Sequence, residues 1–259
     1  MSRIIEKALV AERFRRTLAS YSHHAVVQQA MATELVAMLQ TLMPEQRFQQ
    51  VLEVGSGTGM LMEQLLLHYH VKRYYANDLV RESTHLLRTV QHRCQLNDFH
   101  FLEGDIEALQ ELPEQLDLVI SNATIQWLHD LPAFFSRMKR VLQPNGVMAC
   151  TTFGNRNLHE IATVTGVGLH YHSLVEIERV ASQFFTVVKI VEEERQLEFP
   201  SPEQAFHHLR QTGVNGIVRQ RWTKSHYHQM IERYRLLFST NNGVTLTYHP
   251  MYLVMVRGE

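Results

Sequence analysis

The sequence predicts an α/β fold with a doubly wound, mostly parallel sheet, and three observations support this. Short apolar segments alternate with helical segments over residues 48–153, and such alternation is typical of a parallel sheet flanked by helices. The segment 116–122 is almost continuously apolar, as expected of a strand that is covered on both faces. A glycine-rich sequence joins the first strand to the helix that follows it, which is typical of nucleotide-binding α/β folds.

The elements of this half follow from periodicity and turn residues. Apolar positions at helical spacing predict a helix over 24–42, which Pro44 ends. Pro144 and Asn145 indicate a turn over 143–146. The predicted strands are 48–54, 74–78, 99–105, 116–122 and 146–153, and the predicted helices between them are 61–70, 82–94 and 131–142.

After residue 154 the alternation stops. We predict one long strand over 185–199 and an extended stretch over 244–258, in which Pro250 favours an edge or a bulge. Helices are predicted over 158–168, 173–184, 203–213 and 226–239. Because no repeat or low-complexity linker separates the halves, we interpret the second half as insertions on one core. The predicted domains are a helical lid over 1–45 and a domain over 46–259, with a helical insertion at about 200–240.

Composition excludes several classes of protein. The 25 Lys and Arg residues balance 26 Asp and Glu residues, so the chain lacks the basic field of a general nucleic-acid binder. Two cysteines, Cys94 and Cys150, are too few for a disulfide scaffold or a four-cysteine zinc site. The paired histidines lack metal-binding spacing. No segment has the length of a membrane helix or the apolar core of a signal peptide. We therefore expect a soluble, cytoplasmic protein with no metal and no membrane partner.

The glycine-rich sequence after the first strand indicates a cofactor site. Gly55, Gly57 and Gly59 allow a tight turn and a close approach of the backbone to a ligand, and Ser56 lies among them. The spacing differs from the G-x-G-x-x-G pattern of dinucleotide loops. Glu53 precedes this loop, where its carboxylate would repel a pyrophosphate and attract an ammonium group.

Acidic residues also follow the next two predicted strands. Asp78 comes nineteen residues after Gly59, at a position where a carboxylate can accept hydrogen bonds from both hydroxyls of a ribose. Asp105 follows the third strand and can accept from an adenine amine, with Ile106 packed on the ring. Taken singly, each acid is explained as well by a solvated strand end.

Together and in this order, the Glu-x-Gly-x-Gly-x-Gly loop, Asp78 and Gly104–Asp105 resemble the class I S-adenosylmethionine-dependent methyltransferases over residues 48–153. The resemblance implies a Rossmann-like sheet with an antiparallel last strand, S-adenosyl-L-methionine as cofactor and S-adenosyl-L-homocysteine as product. The cofactor-binding residues that it implies are Glu53, Gly55, Ser56, Gly57, Gly59, Asp78, Leu79, Asp105, Ile106, Asn122 and Gln28. A related fold with another nucleotide, or with no ligand, is the alternative.

The sequence after the fourth strand bears on the methyl acceptor. Residues 121–130 lack the Asn-Pro-Pro-aromatic motif of enzymes that methylate amino groups. A carboxylate acceptor is already ionised at neutral pH and needs no general base, so the enzyme mainly has to hold the acceptor in line with the methyl group. Residues 121–130 resemble two families that methylate free carboxylates: the trans-aconitate methyltransferases and the malonyl-acyl-carrier-protein O-methyltransferases of biotin synthesis, the BioC family.

Three further segments favour the BioC family: 14–28, 199–215 and 246–248. Ser56 departs from that family's pattern, in which Cys is common. The resemblance implies methyl transfer to the free carboxylate of malonyl carried on acyl carrier protein through phosphopantetheine, the start of pimelate assembly. The alternatives are methylation of a small free acid such as trans-aconitate, and a non-catalytic cofactor-binding partner protein. An RNA methyltransferase is disfavoured because no RNA-binding module or basic stripe is present.

No single catalytic residue is identified, and the candidates are positioning residues. Tyr21 and Trp127 are the candidates for contact with the reacting groups, and Gln126 lies beside Trp127. Arg156 and Arg210 are candidates for holding the malonyl carboxylate, because a guanidinium group binds carboxylates well. Packing aromatics and solvated charges are the alternative interpretations of these residues.

A local charge imbalance suggests where a carrier protein would dock. Between residues 207 and 235 six Lys or Arg residues stand against one Glu. Carrier proteins are acidic, so we predict docking at Arg219, Arg221 and Lys224. A solvated helical face explains the imbalance equally well.

Overall fold

Two helices precede the first strand in the computed structural model, which describes residues 5–44, 47–213 and 223–259. The helix α1 spans Lys7–His24 and α2 spans Val26–Leu42, with only Ala25 between them. The predicted helix over 24–42 therefore corresponds to α2, and α1 is an additional helix of 18 residues.

The remaining elements alternate through the first part of the chain as predicted. The strands are β1 (Arg47–Val54), β2 (His70–Asp78), β3 (Asp98–Glu103), β4 (Leu116–Ser121), β5 (Leu142–Phe153), β6 (Thr186–Glu192), β7 (Arg195–Phe199), β8 (Val244–Tyr248) and β9 (Pro250–Val256). The helices are α3 (Met60–His68), α4 (Ser83–Arg93), α5 (Leu131–Val141), α6 (His159–Thr165), α7 (Leu174–Ala181), α8 (Pro202–Gln211) and α9 (Lys224–Phe238).

Seven strands form one sheet in the order β3-β2-β1-β4-β5-β9-β6. The strands β1 to β5 are parallel, and β9 is antiparallel to both β5 and β6. This arrangement confirms the predicted doubly wound, mostly parallel sheet with an antiparallel last strand. The strand order reverses between β1 and β4, and ligands of such sheets bind beyond the carboxyl ends of the strands at this point.

The two faces of the sheet are covered by different helices. Along β4, Leu118 and Ile120 belong to the core that α2 covers, and Val119 belongs to the core that α5 covers. This division follows from the alternation of side chains along a strand. It also explains why the fourth predicted strand is apolar at nearly every position.

The prediction of one long strand over 185–199 is wrong. β6 ends at Glu192, and β7 pairs with β8 in a separate antiparallel sheet of two strands. Glu193 lies where the chain leaves the large sheet, and its carboxylate accepts hydrogen bonds from Tyr252 and Arg195. Both strands have alternating polar and apolar residues, so the periodicity continues across the break.

The extended stretch over 244–258 is also divided. His249 separates β8 from β9, and β9 lies inside the large sheet between β5 and β6. Pro250 is the first residue of β9, where a missing N–H group is tolerated. The predicted turn over 143–146 lies within the bounds of β5, where Asn145 has a φ of 62° and the pairing with β4 shifts register.

The helices of the second half pack on one another and on the start of the chain. Val164, Ala205, Tyr234 and Val244 form a small core between α6, α8, α9 and β8. α8 also packs against α1. The chain after α8 comes so close to α1 that a Cβ atom added at Gly213 would lie 3.3 Å from Phe14. Among the helices of the described residues, none is long and apolar enough to cross a membrane.

Candidate functional site

A cavity of about 140 Å³ lies at the carboxyl ends of β1, β2 and β4, under α1. Of the predicted cofactor residues, nine line it: Glu53, Gly55, Ser56, Gly57, Asp78, Leu79, Asp105, Ile106 and Asn122. They meet because the ends of parallel strands lie along one edge of the sheet. We call this space the donor cavity.

The glycine loop wraps around the end of β2. The backbone N–H groups of Gly55 and Ser56 donate to the carbonyl of Asn77, and the N–H of Gly57 donates to Asp78 Oδ2 at 2.6 Å. Gly55 has a φ of 74°, and an added Cβ would clash with Thr124 at 2.1 Å. An added Cβ at Gly57 would meet no described atom within 4 Å, so the loop is open there to a ligand.

Gly59 has a different role from the first two glycines. It precedes α3 with a φ of 85°, and an added Cβ would lie 2.9 Å from Val90 of α4. Gly59 does not line the donor cavity. Its lack of a side chain therefore allows α3 and α4 to approach one another.

Glu53 is a buried acid on the cavity wall. Its side chain is 1% exposed, and Oε2 accepts a hydrogen bond from the Tyr74 hydroxyl at 2.7 Å. Burial raises the pKa of Glu53 to about 8, although the Tyr74 hydrogen bond lowers it. A cationic group that entered the cavity would favour the ionised carboxylate and reverse part of this shift.

Asp78 organises the turn at the end of β2. Its Oδ2 accepts from Gly57 and its Oδ1 accepts from the N–H of Val80 at 2.7 Å. Burial raises the pKa of Asp78, and the two backbone hydrogen bonds oppose this effect. Because each carboxylate oxygen has two lone pairs, both oxygens keep one for a ligand.

Asp105 lies at the other end of the cavity and is already paired with a cation. Lys7 Nζ lies 2.6 Å from Oδ1 and 2.7 Å from Oδ2, and it also binds Glu107. Ile106 is buried beside Asp105 on the cavity wall. The sequence did not indicate Lys7 or Glu107, because a contact between residues 98 positions apart leaves no local pattern.

Aromatic side chains close the cavity on the side of α1. The ring of Phe14 makes edge contacts with Tyr21 and Trp127, with centroids 5.8 and 6.0 Å away. All three line the donor cavity. Burial, together with the charge of Asp78, raises the pKa of Tyr21, so its phenol stays protonated at neutral pH. The candidates Tyr21 and Trp127 are thus brought together with the predicted cofactor residues.

Two further candidates, Asn122 and Gln126, form hydrogen bonds that join the segment after β4 to α2 and β5. The Asn122 side chain donates to the carbonyl of Gln28 at 2.9 Å and accepts from the Thr151 hydroxyl. Gln126 donates to the carbonyl of Ala123 and accepts from the Thr152 hydroxyl. Gln28 and Gln126 do not line the donor cavity.

The basic candidates lie away from the donor cavity. Arg156 forms an ion pair with Glu194 at 2.5 Å, with over half of its side chain exposed. Arg210 and Lys224 line a second, larger cavity. Arg219 and Arg221 lie outside the described residues. In the described part of the chain, no group of three His, Cys, Asp or Glu residues is arranged to hold a metal ion.

Comparison with known proteins relates this chain to methyltransferases. The family model described as a methyltransferase domain matches residues 52–150. The fold is similar to that of phosphoethanolamine N-methyltransferase 2 of Haemonchus contortus, solved with S-adenosyl-L-methionine (TM-score 0.54, 17% identity, 87% of this chain and 52% of that one). It is also similar to YcgJ of Bacillus subtilis (TM-score 0.64, 12% identity, 87% and 99%).

Curated relatives match along the whole chain. A malonyl-[acyl-carrier protein] O-methyltransferase of Chlorobium phaeovibrioides is 46% identical over 259 residues and covers all of both chains. One of Prosthecochloris aestuarii is 43% identical over 248 residues, 96% of this chain and 92% of its own. The chain therefore belongs to the malonyl-[acyl-carrier protein] O-methyltransferase family.

Proposed function

We propose that this chain transfers a methyl group from S-adenosyl-L-methionine to the free carboxylate of malonyl carried on acyl carrier protein, yielding the methyl ester and S-adenosyl-L-homocysteine. The observation that carries the proposal is the donor cavity, whose described lining brings Glu53, Asp78 and Asp105 together and contains no histidine or cysteine that could act as a general base. The curated relatives, named for the same reaction and 43 and 46% identical, support the choice of acceptor.

The residues of the cavity fit the donor. Glu53 binds the ammonium of its amino-acid part, since Oε2 already receives a hydrogen bond from Tyr74 and the carboxylate faces the cavity. Asp78 binds the ribose hydroxyls with the lone pairs left by Gly57 and Val80. Asp105 accepts from the adenine amine, and Ile106 packs against the ring. The donor supplies an electrophilic methyl group on a positively charged sulfur.

The cavity favours an acceptor that is already ionised. Its described lining contains no histidine and no cysteine, and Glu53, Asp78 and Asp105 are committed to the donor. Tyr21 keeps its proton because burial and the charge of Asp78 raise its pKa. A carboxylate needs no base, since its ordinary pKa is near 4. Catalysis then rests on alignment of the reacting atoms and on exclusion of water.

The acceptor end of the cavity is formed by α1 and the segment after β4. Phe14, Tyr21 and Trp127 form an apolar wall with one hydroxyl group. We infer that the Tyr21 hydroxyl donates to one oxygen of the malonyl carboxylate and leaves the other oxygen for the methyl group. α1 thereby acts as part of the predicted helical lid. Arg156 is not assigned to the carboxylate, because it is paired with Glu194.

The partner and the compartment belong to the same proposal. Acyl carrier protein presents the malonyl group, and neither nucleic acid nor a membrane takes part. Cys94 and Cys150 are unpaired thiols, which agrees with the reducing conditions of the cytoplasm.

The test is a competition between acceptors. The protein is incubated with methyl-labelled donor and with malonyl-acyl carrier protein, malonate or trans-aconitate, and kcat/KM is measured for each acid. We expect labelled ester on the carrier and a kcat/KM at least about a hundredfold above that for either free acid, the scale of about 3 kcal/mol of added binding. A higher kcat/KM for trans-aconitate, or donor binding without transfer to any acid, overturns the proposal.

A further inference from the structure

A groove of about 960 Å³ lies between α6, α8 and the start of α9, on the side of α1 away from the donor cavity. α1 contributes Arg13 to the groove, whereas its Phe14 and Tyr21 line the donor cavity. We call this space the basic groove. None of its described lining residues lines the donor cavity.

The charge of the basic groove is one-sided. Arg13, Arg210 and Lys224 line it, together with His159 and His228, and its described lining contains no Asp or Glu. The chain as a whole carries a net charge of −1, so the described lining of this groove is more positive than the protein as a whole. Arg210 and Lys224 are exposed, and cations gathered in a cleft focus their field on an anionic ligand.

The remaining lining suits a chain that mixes amides with methylene groups. Ile161 and Leu169 supply apolar surface, and the exposed side chains of Asn155 and Thr163 supply hydrogen-bonding groups. A phosphate alone would use only the cations. The mixed lining therefore indicates a ligand with an anionic group on a long, partly apolar arm.

A cluster of aromatic side chains adjoins the groove. The ring of Phe153 contacts Tyr171 of the groove and Tyr248, with centroids 6.5 and 6.0 Å away. His208 of α8 joins the cluster through a hydrogen bond of 2.9 Å with the Tyr248 hydroxyl. Arg13 of the groove and Phe14 of the donor cavity are consecutive residues of α1, and a Cβ atom added at Gly213, three residues after Arg210, would lie 3.3 Å from Phe14. One side of the groove is therefore close to the donor cavity.

We propose that the basic groove binds the phosphopantetheine arm of the carrier-bound substrate, with Arg210 and Lys224 on its phosphate. This inference rests on the proposed function, because it concerns how that substrate is held. It gives Arg210 a different target from the one predicted from sequence, the phosphate instead of the malonyl carboxylate.

The test compares two acceptors that differ only in the phosphate, malonyl-phosphopantetheine and malonyl-pantetheine. The variant removes two charges, Arg210→Ala with Lys224→Ala. Its control removes two charges on the opposite face of the sheet, Arg140→Ala on α5 with Arg179→Ala on α7. For the original protein we expect the phosphate to lower KM by about a hundredfold, or about tenfold for each charged contact. In the groove variant this advantage is lost, and in the control it is kept.

The possible outcomes separate the assignments. An equal rise of KM for both acceptors would place Arg210 on the malonyl carboxylate and overturn the inference. Unchanged KM values for both would exclude the groove, and a loss seen only with the whole carrier protein would indicate docking of the protein surface instead of the arm.

A binding measurement keeps the two proposals apart. Equilibrium dialysis measures the affinity for labelled malonyl-phosphopantetheine without any turnover. One outcome is that the original protein binds this compound, the groove variant does not, and no acceptor is methylated. The proposed methyl transfer is then wrong, and the binding of the arm in the basic groove is supported. If every acceptor is methylated and the groove variant behaves like its control, only the inference that the basic groove binds the arm is overturned.

Discussion

The ammonium group of Lys7 lies 2.6 and 2.7 Å from the two carboxylate oxygens of Asp105. The contact joins the first turn of α1 to the loop that follows β3. Lys7 also binds Glu107, whose carboxylate accepts from the backbone N–H groups of His129 and Asp130. The start of α1 is therefore fastened to two loops at the end of the donor cavity that we assign to adenine.

Replacement of Lys7 by Met keeps the apolar part of the side chain and removes the ion pairs with Asp105 and Glu107. The side chain is only 13% exposed, so we expect a loss of about 1.5–3 kcal/mol in the free energy of unfolding, the range for a hydrogen bond to a charged group. We also expect faster amide hydrogen exchange along α1 and faster dissociation of S-adenosyl-L-homocysteine. Exchange mass spectrometry and stopped-flow dissociation measure the two effects.

Arg16→Met is the matched control for this change. Arg16 pairs with Glu12 within α1, and its side chain is 68% exposed, so its loss leaves α1 attached. Equal exchange rates in the Lys7→Met variant and the original protein would contradict the role of the Lys7 contact.

The raised pKa of Glu53 predicts a pH-dependent affinity for the donor. Below about pH 8 the free protein holds a proton on Glu53, and binding of an ammonium group releases it. The Kd for S-adenosyl-L-homocysteine should therefore fall as the pH rises toward 8, by at most about tenfold per unit, and then level off. Calorimetry in two buffers of different ionisation enthalpy should show release of up to one proton near neutral pH.

Two variants check the origin of this dependence. Glu53→Gln should bind the ligand weakly, with a Kd that does not vary over this range. Tyr74→Phe removes a hydrogen bond that lowers the pKa of Glu53, so the plateau should move to higher pH. A Kd of the original protein that is constant between about pH 6 and about pH 8 would show that Glu53 does not meet the ammonium group.

The stability of the ligand-free protein should decrease as the pH rises, whereas its affinity for the donor should increase. A glutamic acid whose pKa is raised by folding stabilises the folded state below its unfolded pKa, and this contribution is lost as the pH rises through the folded pKa of about 8. We expect the free energy of unfolding of Glu53→Gln, relative to the original protein, to be higher at about pH 9 than at about pH 5. Urea unfolding at the two pH values measures this difference.

Asp78→Asn should lose affinity for the donor while the protein remains folded. The Asn amide keeps one oxygen acceptor, but its NH2 group replaces the other oxygen. This NH2 donor then faces the N–H donor of Gly57 or Val80. A hydrogen bond to a charged group contributes about 1.5–3 kcal/mol, so Kd should rise about ten- to a hundredfold. Titration with S-adenosyl-L-homocysteine measures this change.

Asp98→Asn serves as the comparison for Asp78→Asn. Asp98 begins β3 at the opposite end of the sheet and pairs with Arg73. Its replacement should leave Kd unchanged. Equal affinities of the two variants would remove Asp78 from the donor site.

Tyr21→Phe should affect the acceptor more than the donor. The change removes one hydroxyl and keeps the ring that packs on Phe14. If the hydroxyl donates to the malonyl carboxylate, KM for the carrier substrate should rise about ten- to a hundredfold, with Kd for S-adenosyl-L-homocysteine unchanged. Tyr75→Phe, beyond the cavity lining, is the control. A matching loss of donor affinity would assign Tyr21 to the donor.

Most residues that line the donor cavity could be predicted from the sequence, because their positions follow from the ends of the strands. Glu53, Asp78 and Asp105 each lie at or just after the carboxyl end of a parallel strand, and sheet geometry alone brings such positions together. The glycine spacing and the order of these acids identified the kind of ligand. The antiparallel position of β9 came from the resemblance to a known family.

Contacts between distant segments were not predictable in this way. Lys7 has no neighbouring residue that signals its pairing with Asp105. The division between β6 and β7 at Glu193 depends on hydrogen bonds from Tyr252 and Arg195, one of them 59 residues away. Arg156 and Arg210 were equal candidates in sequence, and only folding separates them, because Arg156 meets Glu194 while Arg210 joins the basic groove.

The position of the transferred methyl group distinguishes carboxyl O-methylation from the other reactions of a malonyl group. Malonyl-acyl carrier protein is incubated with the protein and with donor whose methyl group is isotopically enriched, and the product is examined by carbon NMR. We expect a single enriched resonance of a methoxy group, on the carboxyl oxygen. An enriched methyl group on the central carbon of malonyl, or no transfer by protein that binds the donor, would contradict a carboxyl O-methyltransferase.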